Sequence, residues 1–208
     1  MNNPNNPSIL NDLRHLLMPW GFALLLPVPV LLTCADTNGA DLGTLYLALG
    51  AAWLAAEAFR PGSQPETIGS HPETIACWRA RISALLICLG VNAAVFTILG
   101  SAAGVRSSIP LPMLAAFAIS PALGLVPWLT LRLRQPYGAI VLGAVIVGLI
   151  KILACVVARM VYGPDYIAQG YVSADWRTAK LMISLLWAGT LMVSALALVA
   201  CRRRFATR

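Results

Sequence analysis

Six long apolar runs dominate this chain and restrict its fold more than any other feature. Each run is long enough for a helix that crosses the ~30 Å hydrocarbon core of a bilayer. The runs cover residues 17–34, 43–59, 80–100, 110–131, 137–161 and 180–200. Only helices and closed barrels pair all their backbone polar groups in lipid. We therefore predict an all-α, polytopic membrane protein with six transmembrane helices.

The composition excludes a soluble globular protein. Hydrophobic residues occupy 59% of the 208 positions and charged residues only 11%, which is more apolar surface than a soluble domain hides from water. The net charge of +7 comes from Lys and Arg near the ends of the apolar runs, and membrane topology explains such a pattern. We expect a lipid bilayer around the chain and no nucleic-acid partner.

The positive residues also predict the orientation. With the N-terminus inside, ten Lys and Arg residues fall on the inner side and four on the outer side. Cytoplasmic segments carry the excess of positive charge in membrane proteins, so we expect both termini in the cytoplasm. The expected location is a bacterial plasma membrane.

The segments outside the runs differ in character. Residues 1–16 read as a polar tail followed by an amphipathic helix at the membrane surface, after which Pro19 turns the chain inward. The six-helix domain spans 17–200, and 201–208 form a basic cytoplasmic tail. An outer loop, 162–179, is rich in aromatic residues, which favour the headgroup level.

The longest polar interruption is the cytoplasmic loop 61–78. It contains Glu66 and Glu73 and one of the two histidines, His71, and it is flanked by Glu57 and Arg60. A contact between this loop and a soluble partner is one interpretation. A local ion pair between Glu57 and Arg60, three residues apart, is the other interpretation of that pair.

Three polar residues of the apolar runs are candidates for a translocation path or a lipid contact. Asn92 lies near mid-depth, where an amide joins helices or touches a substrate. Lys151 and Arg159 share one helix face with Cys155. They either line a path that attracts anions, or extend their charged ends to the outer interface.

No catalytic constellation is visible. His15 and His71 have no Ser, Cys or Asp at a spacing that suggests a triad. The five cysteines form no CxxC pair, so we expect free thiols and no metal site. A phosphate-binding GxxxxGK[ST] string is also missing. We predict that the chain is not an enzyme and holds no cofactor.

In layout and in loose motif order the chain resembles the ABC-2 type permeases. The order Glu57, Gly62, Glu66-Thr67-Ile68, Ser70-His71-Pro72 and Arg79/Arg81 is similar to the cytoplasmic segment of that family, as are Arg132-Leu-Arg134-Gln-Pro and Arg202-Arg203-Arg204. The Gly-Thr-Leu-Glu-like string of the family is not intact here.

The resemblance implies a membrane subunit of an ATP-driven transporter. Its partners would be an ABC-type ATPase subunit, which holds the ATP and magnesium, and a second permease chain. The residues implied to couple the chain to the ATPase are Glu57, Arg60, Glu66, His71, Glu73 and Arg79. The alternative is a non-transporting structural or assembly subunit of a larger membrane complex, which the sparse polar residues of the spans fit equally well.

Overall fold

The structure is a computed structural model that describes residues 9–33, 37–60, 71–105, 107, 109–162 and 176–206. Every regular element in these ranges is an α-helix, which confirms the predicted all-α class. In chain order the helices are α1 (Ile9–Leu25), α2 (Val28–Thr33), α3 (Thr37–Ala58), α4 (His71–Ala102), α5 (Leu111–Leu123), α6 (Leu125–Leu133), α7 (Pro136–Tyr162) and α8 (Trp176–Ala206).

Within the described residues, five helical segments are long and apolar enough to cross a membrane. They are Leu13–Thr33, Ile75–Ala102, Leu111–Leu133, Pro136–Ala158 and Leu181–Arg203. Each corresponds to one of the predicted runs, and the chain is an integral membrane protein. The predicted count of six is not confirmed.

The remaining predicted span, 43–59, falls on α3. This helix has an acidic residue near each end, Asp41 and Glu57, and it is not among the five candidate spans. It nevertheless packs against α1, α2, α4, α5, α6 and α7, and its residues Leu47 and Ala51 have no exposed surface. Because its neighbours shield it, α3 needs fewer apolar side chains than a helix that faces lipid.

Two clusters of buried side chains define opposite ends of the bundle. The basal cluster includes Leu16, Phe59, Leu85, Leu131 and Cys201. The distal cluster includes Leu31, Ala40, Phe96 and Leu111. The α1–α2 pair and α4 therefore run from the basal to the distal end, and α3 and the α5–α6 pair run back. The start of α1 and the end of α8 lie together at the basal end.

Two of the spans are interrupted, the first near Pro27 and the fourth at Gly124. The first span breaks between α1 and α2, at Leu26 and Pro27. Pro19, by contrast, lies inside α1, which runs without interruption from Ile9 to Leu25. Neither the predicted turn at Pro19 nor a separate interfacial helix is therefore confirmed.

Three predicted loop boundaries also move, because helices continue beyond the apolar runs. The loop 61–78 loses its second part, since α4 begins at His71, and 61–70 lie outside the described residues. In the outer loop, Tyr162 still belongs to α7 and α8 begins at Trp176. The basic tail starts as helix, because α8 continues to Ala206.

The fourth span breaks at Gly124, between α5 and α6. Pro121 has no N–H for the carbonyl of Phe117, and the Ser120 hydroxyl donates to that oxygen instead, at 2.9 Å. A Cβ at position 124 would overlap the backbone carbonyl of Ser194 on α8. Glycine is therefore what allows the interrupted span and α8 to meet.

We expect Gly124→Ala to lower the free energy of unfolding by about 3 kcal/mol or more, because the added methyl group meets backbone that cannot rotate away. The control is Gly148→Ala in α7, where nothing lies within 4 Å of an added Cβ. Thermal unfolding in detergent measures both variants. Equal stability of the two would contradict the close packing at Gly124.

A topology measurement decides whether α3 crosses the membrane. Reporters fused after residue 65 and after residue 206 lie on the same side in either case, because α4 to α8 supply four crossings between them. If α3 crosses, an N-terminal tag also lies on that side. If α3 does not cross, the tag lies on the opposite side from both reporters.

Candidate functional site

The basal end of the bundle carries most of the residues singled out from the sequence. There, α3 ends at Ala58 and α4 begins at His71. Just after α3, Arg60 forms an ion pair with Glu57 at 3.5 Å, with side-chain exposures of 60% and 18%. An exposed pair three residues apart contributes little stability. Its effect is local, since it fixes how the chain leaves α3.

A second contact ties the two sides of the 61–70 segment together. Arg81 of α4 is only 5% exposed, and its guanidinium donates to the carbonyl of Ala58, at 3.2 Å. The last carbonyls of a helix have no partner within that helix. A charged donor satisfies one of them here, and such bonds are stronger than neutral ones. The end of α3 and the start of α4 are thereby linked.

The apolar packing around this link is dense. Phe59 and Cys201 have no exposed surface and belong to the basal cluster, and Trp78 packs against the same cluster. Farther into the bundle, the Trp20 indole donates to the carbonyl of Cys88 at 3.3 Å, which ties α1 to α4. The residues that flank the 61–70 segment are therefore packed into the bundle.

The structure brings together only some of the predicted coupling residues. Glu57 and Arg60 form the ion pair, and Arg79 is exposed on α4. The backbones of His71 and Glu73 lie in the first turn of α4, and Glu66 lies outside the described residues. The side chains of His71 and Glu73 also lie outside the described part of the structure.

The basal end presents a strongly cationic surface. Seven of its arginines are exposed: Arg14, Arg60, Arg79, Arg132, Arg134, Arg202 and Arg203. Among the described residues, Glu57–Arg60 is the one ion pair that any of these seven forms with a carboxylate at less than 4 Å. This end therefore attracts anionic partners or anionic headgroups.

Asn92 occupies the interior of the bundle. It is 2% exposed, and neither its amide nitrogen nor its oxygen has a hydrogen-bond partner. Along α4 it lies between Leu89 of the basal cluster and Phe96 of the distal cluster. A buried amide without partners costs stability. Its helix-joining interpretation therefore has no bond to support it within the described chain.

Lys151 has the opposite environment. It is exposed on the surface of α7, among apolar neighbours such as Ile152 and Leu153, which are 61% and 63% exposed. It lies about 6 Å from the centre of its span, at 1.5 Å per residue. Cys155, on the same face, is half-buried and contacts the Met182 sulfur at 3.5 Å.

These two polar residues do not form one site. Asn92 is enclosed within the bundle, whereas Lys151 faces outward. Of Arg159 the structure describes only the backbone, two turns farther along α7.

Sequence reasoning missed two features. The sequence shows Arg81 only as one of the positive charges of the cytoplasmic segment. Its buried bond to Ala58 has no sequence signature that separates it from exposed Arg79. The break at Gly124 did have a signal, because Pro121 and Pro127 flank that glycine. Ser194, buried against the break, has a hydroxyl without a partner.

Comparison with known proteins adds no family. No family model, no curated protein and no solved structure matches the chain. Within the described residues there is also no group of three or more His, Cys, Asp or Glu residues that could hold a metal ion. The function of the chain is therefore inferred from its own geometry.

We expect Arg81→Gln to lower the free energy of unfolding by about 2 kcal/mol, because it leaves a buried helix carbonyl without its charged donor. The matched control is Arg79→Gln, two residues away on the same helix but exposed, which should change stability by less than about 0.5 kcal/mol. Denaturant unfolding in detergent compares them. A similar loss in both variants would mean that the Ala58 contact does not matter.

Proposed function

We propose that the chain is the membrane subunit of an ATP-driven transporter of the ABC-2 type. In this proposal the segment 61–78 contacts a separate ATPase subunit at the basal, cytoplasmic end. The observation that supports it most is the bond between Arg81 and the Ala58 carbonyl. This bond joins α4, three residues beyond the segment, to α3, the helix that packs against six others.

The geometry suits a mechanical coupling element. α4 has 32 residues, about 48 Å at 1.5 Å per residue, which exceeds the hydrocarbon thickness. Its first turns therefore extend beyond the bilayer core toward the 61–70 segment. A partner that moved these turns would move the end of α3 as well, through Arg81. Rigid-body shifts of packed helices are a common form of switching.

Transport would require a second permease chain. A path between two chains would pass the outward-facing Lys151, whereas Asn92 is enclosed within the single chain and lies off such a path. In such an arrangement Lys151 and Arg159 of α7 would meet the partner chain or the lipid. ATP and magnesium would be held by the ATPase subunit, and the location would be a bacterial plasma membrane.

One observation favours the alternative, a non-transporting assembly subunit. Of the six polar residues buried in the described part of the chain, three bond to carbonyls of their own helix, namely Ser120, Thr130 and Thr190. The hydrogens of these hydroxyls are already donated within the helix and are not available to a passing substrate. The interior of a single chain is thus poor in polar contacts, as expected for a subunit that only completes a larger complex.

The charge reversal Glu66→Lys/Glu73→Lys should abolish transport-linked ATP hydrolysis in the complex while the spans stay folded. The reason is that both carboxylates lie in the segment proposed to contact the ATPase, where reversed charges repel the partner's complementary groups. Hydrolysis by the reconstituted complex is measured against the variant Asp165→Lys/Asp175→Lys. That control makes the same charge change in the predicted outer loop.

Unchanged hydrolysis in the Glu66/Glu73 variant would remove 61–78 as the coupling element. The proposal as a whole depends on which proteins purify with the tagged chain in mild detergent. A stoichiometric ATPase that is lost on altering 61–78 supports the transporter. Membrane subunits alone, without nucleotide turnover, support the assembly subunit.

A further inference from the structure

Four exposed arginines occupy one corner of the basal end, which we call the basic corner. Arg132 lies in the last turn of α6 and Arg134 directly follows that helix, and Arg202 and Arg203 lie in the last turns of α8. None of the four forms an ion pair in the part of the chain that the structure describes. The proposed coupling segment does not include any of them.

The end of α6 holds Arg132 and Arg134 in defined positions. Arg134 ends α6 in the left-handed conformation, with φ 56° and ψ 18°, and its N–H donates to the carbonyl of Thr130 at 2.9 Å. The guanidinium carbon of Arg132 lies 5.9 Å from the ring centre of Trp128, within the range of a cation–π contact. Both side chains still expose their charge.

The packing of α6, α7 and α8 brings the two pairs of arginines to the same level. Leu129, Ala139 and Ala197, one from each helix, share a small buried cluster. Arg134 follows Leu129 by five residues at the end of α6, and Arg202 follows Ala197 by five along α8. At 1.5 Å per residue, both therefore lie about 7 Å from this cluster toward the basal end.

Apolar surface begins directly on the membrane side of these charges. Tyr137 and Val141 of α7 are 72% and 64% exposed, and Leu196 and Val199 of α8 are 64% and 52% exposed. A tyrosine next to arginines at the end of a span is typical of the headgroup level. The corner thus combines cations for a phosphate with apolar surface for acyl chains.

We propose that the basic corner binds the headgroup of an anionic phospholipid in the leaflet at the basal end. Arginine pairs with phosphate through two parallel hydrogen bonds, and four guanidiniums can engage two phosphates at once. A lipid with two phosphate groups is therefore bound more tightly than a lipid with one. A soluble anion would use the arginines but would leave the apolar surface below them unused.

The experiment uses the full-length protein in detergent and counts bound lipids by native mass spectrometry. Cardiolipin, phosphatidylglycerol and phosphatidylcholine supply two, one and no net negative charges. We expect affinity to fall in that order. The variant Arg132→Gln/Arg202→Gln should bind cardiolipin about tenfold more weakly than the unaltered protein, because each surface arginine contributes to binding an anionic lipid.

The matched control is Arg14→Gln/Arg60→Gln, which removes the same charge at the basal end. Arg14 lies on α1, whose contacts in the bundle are mainly with α3 and α4. This control should bind cardiolipin as the unaltered protein does. An equal loss in both variants would show a general charge effect and overturn the corner as a site. Displacement of cardiolipin by millimolar inorganic phosphate would also overturn the lipid assignment.

Discussion

The need to pair every backbone polar group away from water governs this structure. Where the chain is a continuous helix the requirement is met internally, and the interruptions show how it is met otherwise. The Ser120 hydroxyl replaces the N–H that Pro121 lacks. At the end of α3, the guanidinium of Arg81 serves the Ala58 carbonyl. At these breaks and ends, side chains thus supply the hydrogen bonds that the helix backbone cannot.

Periodicity and run length predicted the helical class and the position of five membrane segments, because lipid leaves a chain of this composition few other solutions. The sixth depended on α3, which has an acidic residue near each end. The hydropathy of a single sequence does not include the neighbouring helices that shield it. Loop boundaries were less accurate. Polar residues such as those of 71–78 continue a helix as readily as they end it once the helix has left the lipid.

For the candidate site, the sequence identified charges but not their partners. It suggested the ion pair of Glu57 and Arg60, which needs only local geometry. It could not separate Arg79 from Arg81, since the difference lies in the helix that packs against one and not the other. Asn92 was correctly placed at depth, but that its amide has no partner depends on several helices at once. Contacts between distant segments are what one sequence leaves out.

The central position of α3 has a consequence for how the protein is made. Helices enter the membrane in the order of synthesis, and each is tested for its affinity for lipid before later helices exist. When α3 emerges, only α1 and α2 among its partners are available, while α4 to α7 are still to be synthesised. For α3 to cross, it enters the bilayer in contact with α1. The contact between these two helices is then the first tertiary step in biogenesis, before most of the core that later encloses α3 has been built.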